Sequence, residues 1–380
     1  MNNKFREVSI LKGLGIIAVV LGHVGSPLTN MIYMYHMGLF FFISGYLYKD
    51  SCEENLFKYI IKKFKSLYIP FIVFELIFIS IRNILIDLHV YDITQINRIN
   101  GMNDFIENLK SIITFNGTPD TLLGAAWFLK VLFYVSILYA MFNIVFKKIF
   151  KEENEFLKCL IIVIISVVSF DLIETGNNIG ILLNPNNRKL YKLFTDLLDV
   201  RNFIIMGVFY MGNLYKKIEN KIPMNVYMAI ISFIAIYYNS KIGTIDVSQY
   251  SFVGPIYFIF NTLLGVYLNI YISRKICSSK YKFNIIENAG KYSLYIMIFH
   301  LLACKVLDVL IINIFNLPIE VASGYPVSFY NEYMWILYTI VGTIIPIILA
   351  KFYNNIRVSI KNISNTYKNN ESVVECQQNS

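Results

Sequence analysis

The sequence predicts an all-α protein that crosses a membrane about ten times, and two observations lead to this prediction. Of the 380 residues, 56% are hydrophobic and 16% are charged, and the mean hydropathy is +0.54. A soluble chain usually carries about 25% charged residues. In addition, apolar runs close to the roughly 20 residues that a transmembrane helix needs recur along the whole chain. Helices are the expected elements because each helix satisfies its own backbone hydrogen bonds in lipid.

Ten apolar segments are long enough to be predicted as membrane spans. They lie at residues 8–24, 31–48, 66–86, 121–146, 157–174, 198–215, 223–240, 252–273, 292–315 and 330–350. An even number of spans places both termini on the same side of the membrane. We therefore predict a multi-pass protein of the cell membrane whose two ends share one compartment.

The distribution of lysine and arginine indicates which side that is. With the amino terminus inside, 23 of the 34 basic residues fall in inside segments and only 6 in outside segments. Basic residues concentrate on the cytoplasmic side of membrane proteins, so we predict that both termini are cytoplasmic. The net charge of +9 therefore reflects topology, and we expect the lipid bilayer, not nucleic acid, as a partner.

The remaining segments complete the predicted organisation. Residues 1–355 form one membrane domain, and 356–380 form a cytoplasmic tail whose polar end is expected to be disordered. Apolar residues at helical spacing over 102–113 predict a helix lying on the outer membrane surface, whereas the outer loop at 175–197 has no clear pattern. No cysteine falls in an outside segment and no zinc-type spacing occurs, so neither a disulfide nor a metal is expected.

Candidate site residues concentrate in the first two spans, between Lys12 and Gly45. His23 follows Lys12 by eleven residues, which on a helix is about 16 Å and close to three full turns. Ionisable residues at membrane depth indicate a functional site. The alternative is that Lys12 extends to the lipid headgroups and His23 is a packing residue.

Two further histidines strengthen the functional interpretation. His36 lies just past the turn that follows His23, so the two imidazoles are predicted to meet at the outer depth of the membrane. His300, in the ninth predicted span, adds a third ring. Neutral imidazole is the form in which histidine acts as a general base. Each of these histidines could instead be a structural hydrogen-bond donor.

Six short motifs occur in a fixed order along the chain. They are Lys12-x10-His23; His36 followed by Phe41-Phe42-x-Ser44-Gly45-Tyr46; Lys62 and Lys65 ahead of Pro70; Trp127-Phe128-Leu129; Arg201 with Phe203 and Gly207; and Gly290-x-x-Ser293-x-x-Ile296-x-x-x-His300. In this order, on ten spans, they resemble the integral-membrane acyltransferase 3 family, especially its sugar O-acetylase branch. The resemblance extends over most of the chain.

The resemblance implies an O-acetyltransferase, an enzyme that moves an acetyl or other acyl group from cytoplasmic acyl-CoA to a hydroxyl of a cell-surface or envelope glycan. His23 would be the catalytic base, and His36 would orient it or stabilise the oxyanion. Lys12, Lys62 and Lys65 would hold the CoA phosphates at the inner boundary. The family often has arginine at these three positions, and lysine lacks arginine's planar pair of donors.

Five residues have weaker assignments. His300 is a supporting residue, and Ser44 is a packing residue or a nucleophile, although no GxSxG motif is present. Glu75 could pair with Arg82 or with Lys12. On the acceptor side, Arg201 could clamp the substrate or form a salt bridge with Asp199. Trp127 could contact the acceptor or lie in the interfacial aromatic belt.

Two other functions remain open at this point. A transporter or flippase of a glycan intermediate would also use polar residues inside the membrane, although its site is usually built from repeated halves with broken helices. An acyltransferase could instead act on a peptide, a lipid or a free amino acid. The sequence leaves open the acyl chain length, an acyl-enzyme intermediate and the oligomeric state.

Overall fold

The computed structural model describes residues 3–91, 96–114, 120–150, 154–174 and 197–378. Throughout these residues the regular structure is helical, apart from an isolated bridge between Asp246 and Ser251. The described α-helices are α1 Asn3–His23, α2 Thr29–Tyr33, α3 His36–Tyr46, α4 Leu56–Lys63, α5 Ile69–Asp87, α6 Met102–Ile113, α7 Trp127–Phe150, α8 Glu155–Glu174, α9 Val200–Ile218, α10 Val226–Ile242, α11 Pro255–Ser278, α12 Asn284–Lys291, α13 Ser293–Phe315 and α14 Met334–Gln378. The fold class is therefore all-α, as predicted.

Most predicted spans coincide with long apolar helices. Six helical segments of the described chain have the length and hydropathy to cross a membrane: Leu56–Asp87, Thr121–Phe150, Glu155–Ile173, Pro255–Ser278, Ser293–Phe315 and Met334–Ser359. The predicted spans at 8–24, 198–215 and 223–240 lie largely on α1, α9 and the 17-residue helix α10. These helices confirm a polytopic membrane protein, while the count of ten and the cytoplasmic termini stay predictions.

The second predicted span, 31–48, is not a single helix. The chain forms α2, breaks at Met34 and Tyr35, and resumes as α3, which has only 11 residues and is about 16 Å long. The break occurs where the ring of Tyr35 packs directly on Gly265 of α11. No glycine or proline marks this position in the sequence, which is why hydropathy alone missed the interruption.

Helix α1 occupies the centre of the bundle. It contacts α3, α11, α12, α13 and α14, and its buried residues lie on several sides. A helix that is apolar all round is expected to be enclosed by other helices. From Ile10 to Gly22, α1 is therefore largely enclosed by protein, which is the placement that a site inside the membrane requires.

Glycines allow the closest helix crossings. A Cβ atom at Gly45 of α3 would overlap the carbonyl oxygen of Phe209 on α9, and one at Gly212 of α9 would overlap the carbonyl oxygen of Phe42. The two helices therefore approach backbone to backbone. Small residues at crossings are a general feature of helix packing in membranes.

We expect Gly45→Ala to lower the free energy of unfolding by about 1–3 kcal/mol, because the helices must separate to admit a methyl group. The measurement is thermal unfolding of the purified protein in detergent. Gly254→Ala is the matched control, since Gly254 has nothing within 4 Å and an extended φ of 169°. Equal unfolding temperatures for the two variants would contradict the close crossing.

The predictions for the two outer segments and for the tail have different outcomes. The helix predicted over 102–113 is present as α6, with Met102 and Ile113 exposed and Ile112 fully buried. The predicted loop at 175–197 lies outside the described residues except for its last position. The backbone of the predicted tail is helical and continues α14 as far as Gln378. The disorder expected at the end of that tail stays a prediction.

Candidate functional site

Three histidines converge near the end of α1 that is predicted to face the outside. The ring centroids of His23 and His300 are 5.3 Å apart, with the ring planes tilted by 37°. Tyr33 lies between His23 and His36. Its ring centroid is 6.3 Å from that of His23 and 4.9 Å from that of His36. The fold thus brings together the three histidines that the sequence singled out.

Backbone carbonyls determine which nitrogen carries the proton in two of these rings. His36 Nδ1 is 2.9 Å from the carbonyl oxygen of Ile32, and His300 Nδ1 is 2.9 Å from that of Ile296. A carbonyl oxygen only accepts, so in each neutral ring Nδ1 donates and Nε2 keeps its lone pair. His300 Nε2 is buried and has no hydrogen-bond partner among the described residues.

These tautomers bear on the roles that the sequence suggested. An oxyanion needs a hydrogen-bond donor, and a neutral His36 in this tautomer has no N–H left to give. The oxyanion role of His36 therefore does not fit this tautomer. No hydrogen bond joins His36 to His23 in the described part of the chain, so its orienting role stays a prediction. Neither nitrogen of His23 has a hydrogen-bond partner among the described residues, and the one with the lone pair can accept a proton.

A small cavity, here called the histidine chamber, opens beside these rings. Its volume is about 40 Å³. Its lining residues come from α1, the α2–α3 hairpin, the start of α7 and the connection after α10: Val19, His23, Tyr33, His36, Met37, Ala125, Trp127, Ile245, Asp246, Val247 and Ser248. A space of this size holds a water molecule or a single hydroxyl group.

A second cavity lies next to the chamber along α1, and we call it the middle cavity. It has a volume of about 220 Å³ and shares Val19 and Met37 with the chamber. Ser44 lines it, and Ser44 Oγ donates to the carbonyl oxygen of Phe40 at 2.8 Å. That bond is typical of a serine packed within a helix.

The third and largest cavity, the basic mouth, opens at the other end of α1. Its volume is about 1060 Å³, and Lys12 lines both it and the middle cavity. Five lysines line the mouth: Lys4, Lys12, Lys49, Lys216 and Lys291. The three cavities therefore follow one another along α1, each sharing lining residues with the next.

Some of the mouth lysines already have partners. Lys4 forms an ion pair with Glu219, and this hydrogen bond raises the pKa of Lys4 to about 12. Lys216 Nζ donates to the carbonyl oxygen of Tyr48 at 2.8 Å. These contacts fix where the two ammonium groups lie at the mouth.

Of the three lysines predicted to bind CoA, the fold brings only Lys12 into this path. Lys62 on α4 and Lys65 in the π-helical turn Phe64–Tyr68 are exposed and line none of the three cavities. Lys4, Lys49, Lys216 and Lys291, which also line the mouth, were not among the predicted residues. In the sequence they are indistinguishable from the lysines that simply mark the cytoplasmic side.

Arg201 and Trp127 lie next to the chamber. The Arg201 guanidinium is 5.4 Å from the ring centroid of Trp127 and 4.3 Å from that of Tyr250. It also pairs with Asp199 at 3.5 Å, so the predicted salt bridge is present. Trp127 is half-buried and forms part of the chamber wall, where it can contact an acceptor, and its place in an interfacial aromatic belt stays a prediction.

Glu75 is separate from this path. It is fully buried, and neither carboxyl oxygen has a hydrogen-bond partner among the described residues. Arg82, one of its two suggested partners, instead lies 3.6 Å from Asp120. Glu75 lines neither the chamber nor the middle cavity, and it forms no ion pair with Lys12 in the described chain.

Asp246 is a charged chamber residue that the sequence analysis did not name. It lies in the connection between α10 and α11 and lines the chamber with His23 and His36. The only signal in the sequence is a carboxylate in a short outer segment, and such residues are common. Within the described residues, no group of three His, Cys, Asp or Glu side chains could hold a metal ion.

Comparison with known proteins identifies the family. The model of the acyltransferase domain of the acyltransferase 3 family matches residues 5–352, which is nearly the whole chain. No curated protein and no solved structure matches it. The chain therefore belongs to the acyltransferase 3 family and is a multi-pass membrane acyltransferase.

Proposed function

We propose that this acyltransferase moves an acetyl or other acyl group from cytoplasmic acyl-CoA to a hydroxyl of a cell-surface or envelope glycan. The observation that carries the proposal is the series of cavities along α1, from the basic mouth through the middle cavity to the histidine chamber. Such a series lets a donor on one side of the membrane meet an acceptor on the other. The glycan acceptor rests on the resemblance to sugar O-acetylases.

The charge of the mouth supports an acyl-CoA donor. Phosphate groups cannot enter hydrocarbon without a large loss of hydration, so the nucleotide must stay at the membrane surface. The five lysines of the mouth supply positive charge there. The uncharged arm of the donor then extends through the middle cavity, and the roughly 16 Å along α1 from Lys12 to His23 is the distance it must cover.

The histidine chamber supports direct transfer to a hydroxyl. His23 takes the proton of the acceptor hydroxyl while the hydroxyl oxygen attacks the carbonyl carbon of the thioester. The carbon–sulfur bond breaks, and the thiolate takes that proton from His23 to leave as CoA–SH. Tyr33 and Trp127, which line the chamber, carry neutral O–H and N–H donors that suit the developing oxyanion.

The direct test is an assay of the detergent-purified protein with labelled acetyl-CoA and candidate glycans. We expect release of CoA that depends on the acceptor, together with labelled glycan. A flippase would release no CoA and would instead move the glycan across reconstituted vesicles. That result would contradict the proposal.

Lys12→Ala should raise the KM for the donor about ten- to hundredfold, since a charge-assisted contact contributes about 1.5–3 kcal/mol. The KM for the acceptor should stay unchanged, because Lys12 lies about 16 Å along α1 from His23 and does not line the chamber. Lys62→Ala is the matched control, as Lys62 lines none of the three cavities. An equal rise in donor KM for both variants would show that the mouth is not the donor site.

A further inference from the structure

We propose that Asp246 is a positioning residue that stabilises the positive charge on His23 during acyl transfer. This inference rests on the proposed function, since it assigns a role within the same reaction. Asp246 lines the histidine chamber, and among the lining residues of the described chain it is the single carboxylate. Its contacts show how the carboxylate is held there.

The segment that carries Asp246, residues 245–250, is fixed to the body of the protein. Asp246 and Ser251 exchange two backbone hydrogen bonds, of 2.8 and 2.9 Å. Arg201 Nη1 lies 3.4 Å from the carbonyl oxygens of Val247 and Ser248. The hydroxyl of Tyr250 donates to Asp199 at 2.6 Å. These contacts hold the carboxylate at one side of the chamber.

Among the described residues, no lysine or arginine forms an ion pair with Asp246. Arg201 supports the same segment through backbone carbonyls and pairs with Asp199 instead. The carboxylate therefore lies at the chamber, which His23 and His36 also line, without a basic partner from the described part of the chain.

The reaction creates a need for that charge. His23 becomes a cation when it takes the hydroxyl proton, and the neighbouring His36 and His300 rings are neutral in the tautomers described above. A fixed charge that faces a developing opposite charge stabilises the transition state more than the ground state. Asp246 meets this need without accepting the proton, which passes from the hydroxyl to His23 and then to the departing sulfur.

A purely structural role for Asp246 makes a different prediction. Its Oδ1 accepts hydrogen bonds from the backbone nitrogens of Ser248 at 2.9 Å and Gln249 at 3.3 Å, so it caps the short 3₁₀ turn Val247–Gln249. Asparagine caps as well as aspartate does. Asp246→Asn therefore keeps the cap and removes the charge, whereas Asp246→Ala removes both.

The experiment measures kcat and donor KM for the detergent-purified wild type and these variants, with labelled acetyl-CoA as the donor. We expect Asp246→Asn to lower kcat at least tenfold, with donor KM and unfolding temperature unchanged. Asp246→Ala should show a similar loss of kcat together with a lower unfolding temperature. Asp246→Glu should restore part of the rate. Wild-type kcat in Asp246→Asn, with a loss only in Asp246→Ala, would overturn the inference in favour of capping alone.

Two further variants make the test specific. Glu54→Gln removes an exposed carboxylate that lines none of the three cavities, and its kcat should stay close to the wild-type value. In a His23→Asn background, Asp246→Asn should cause no further loss, because the positive charge that Asp246 stabilises no longer forms. An equal loss in Glu54→Gln, or a full additional loss in the double variant, would overturn the assignment. A wild type that transfers no acyl group would contradict the proposed function as well.

Discussion

Replacing His23 with asparagine is expected to lower the rate of acyl transfer by about 10²–10⁴, the usual contribution of a general base. Asparagine is polar and close in size but cannot accept the hydroxyl proton. The measurement is acceptor-dependent CoA release by the purified variant at saturating donor. The KM for the donor should change little, because the mouth that would bind the nucleotide lies at the other end of α1.

His89→Asn is the matched control for this prediction. His89 is exposed and has a φ of 57°, a left-handed conformation that asparagine tolerates better than most residues. This variant should keep the wild-type rate. Full turnover by a folded His23→Asn protein would remove His23 from the mechanism, and with it the proposed role of Asp246.

Replacing Ser44 with tryptophan is expected to reduce transfer about a hundredfold or more while the protein stays folded. Ser44 lines the middle cavity of about 220 Å³ between the mouth and the chamber. A large ring there would obstruct the acyl arm, and even a 1 Å displacement of a reacting group can lower a rate about 10²-fold. CoA release and thermal unfolding, measured on the same preparation, separate obstruction from misfolding.

Ser44→Ala provides the control, because it keeps the middle cavity open. We expect nearly wild-type transfer, since Ser44 Oγ is already bonded to the carbonyl oxygen of Phe40. An inactive Ser44→Ala would instead indicate a nucleophile at this position. A folded Ser44→Trp with the wild-type rate would show that the donor does not pass through the middle cavity.

Much of the fold could be predicted because a chain in lipid must satisfy its backbone hydrogen bonds internally, which favours helices. Long apolar runs became helices such as α7 and α13, and their ends differ from the predicted ends by only a few residues. The prediction was wrong where a helix breaks without glycine or proline, between α2 and α3. That break depends on Tyr35 packing against Gly265 of α11, a contact between residues far apart in the chain.

Part of the candidate site could also be predicted, because it depends on residues that are close together in the chain. His23 and His36 are joined by a short turn, so their approach follows from local geometry. His300 was predicted from its depth in the ninth span, and its ring does lie 5.3 Å from that of His23. Lys62 and Lys65 were predicted from a motif to bind the CoA phosphates. In the structure both are exposed and line none of the three cavities.

By itself, the sequence determined that this protein is helical, spans a membrane and carries histidines at membrane depth, because hydropathy and spacing along a helix are local properties. Only the tertiary structure decided which lysines surround the mouth and that Asp246 lines the chamber. Each of these depends on contacts between segments distant in the chain, such as Arg201 with the 245–250 segment. Packing of helices against one another selects those contacts, and no periodicity within a single segment encodes them.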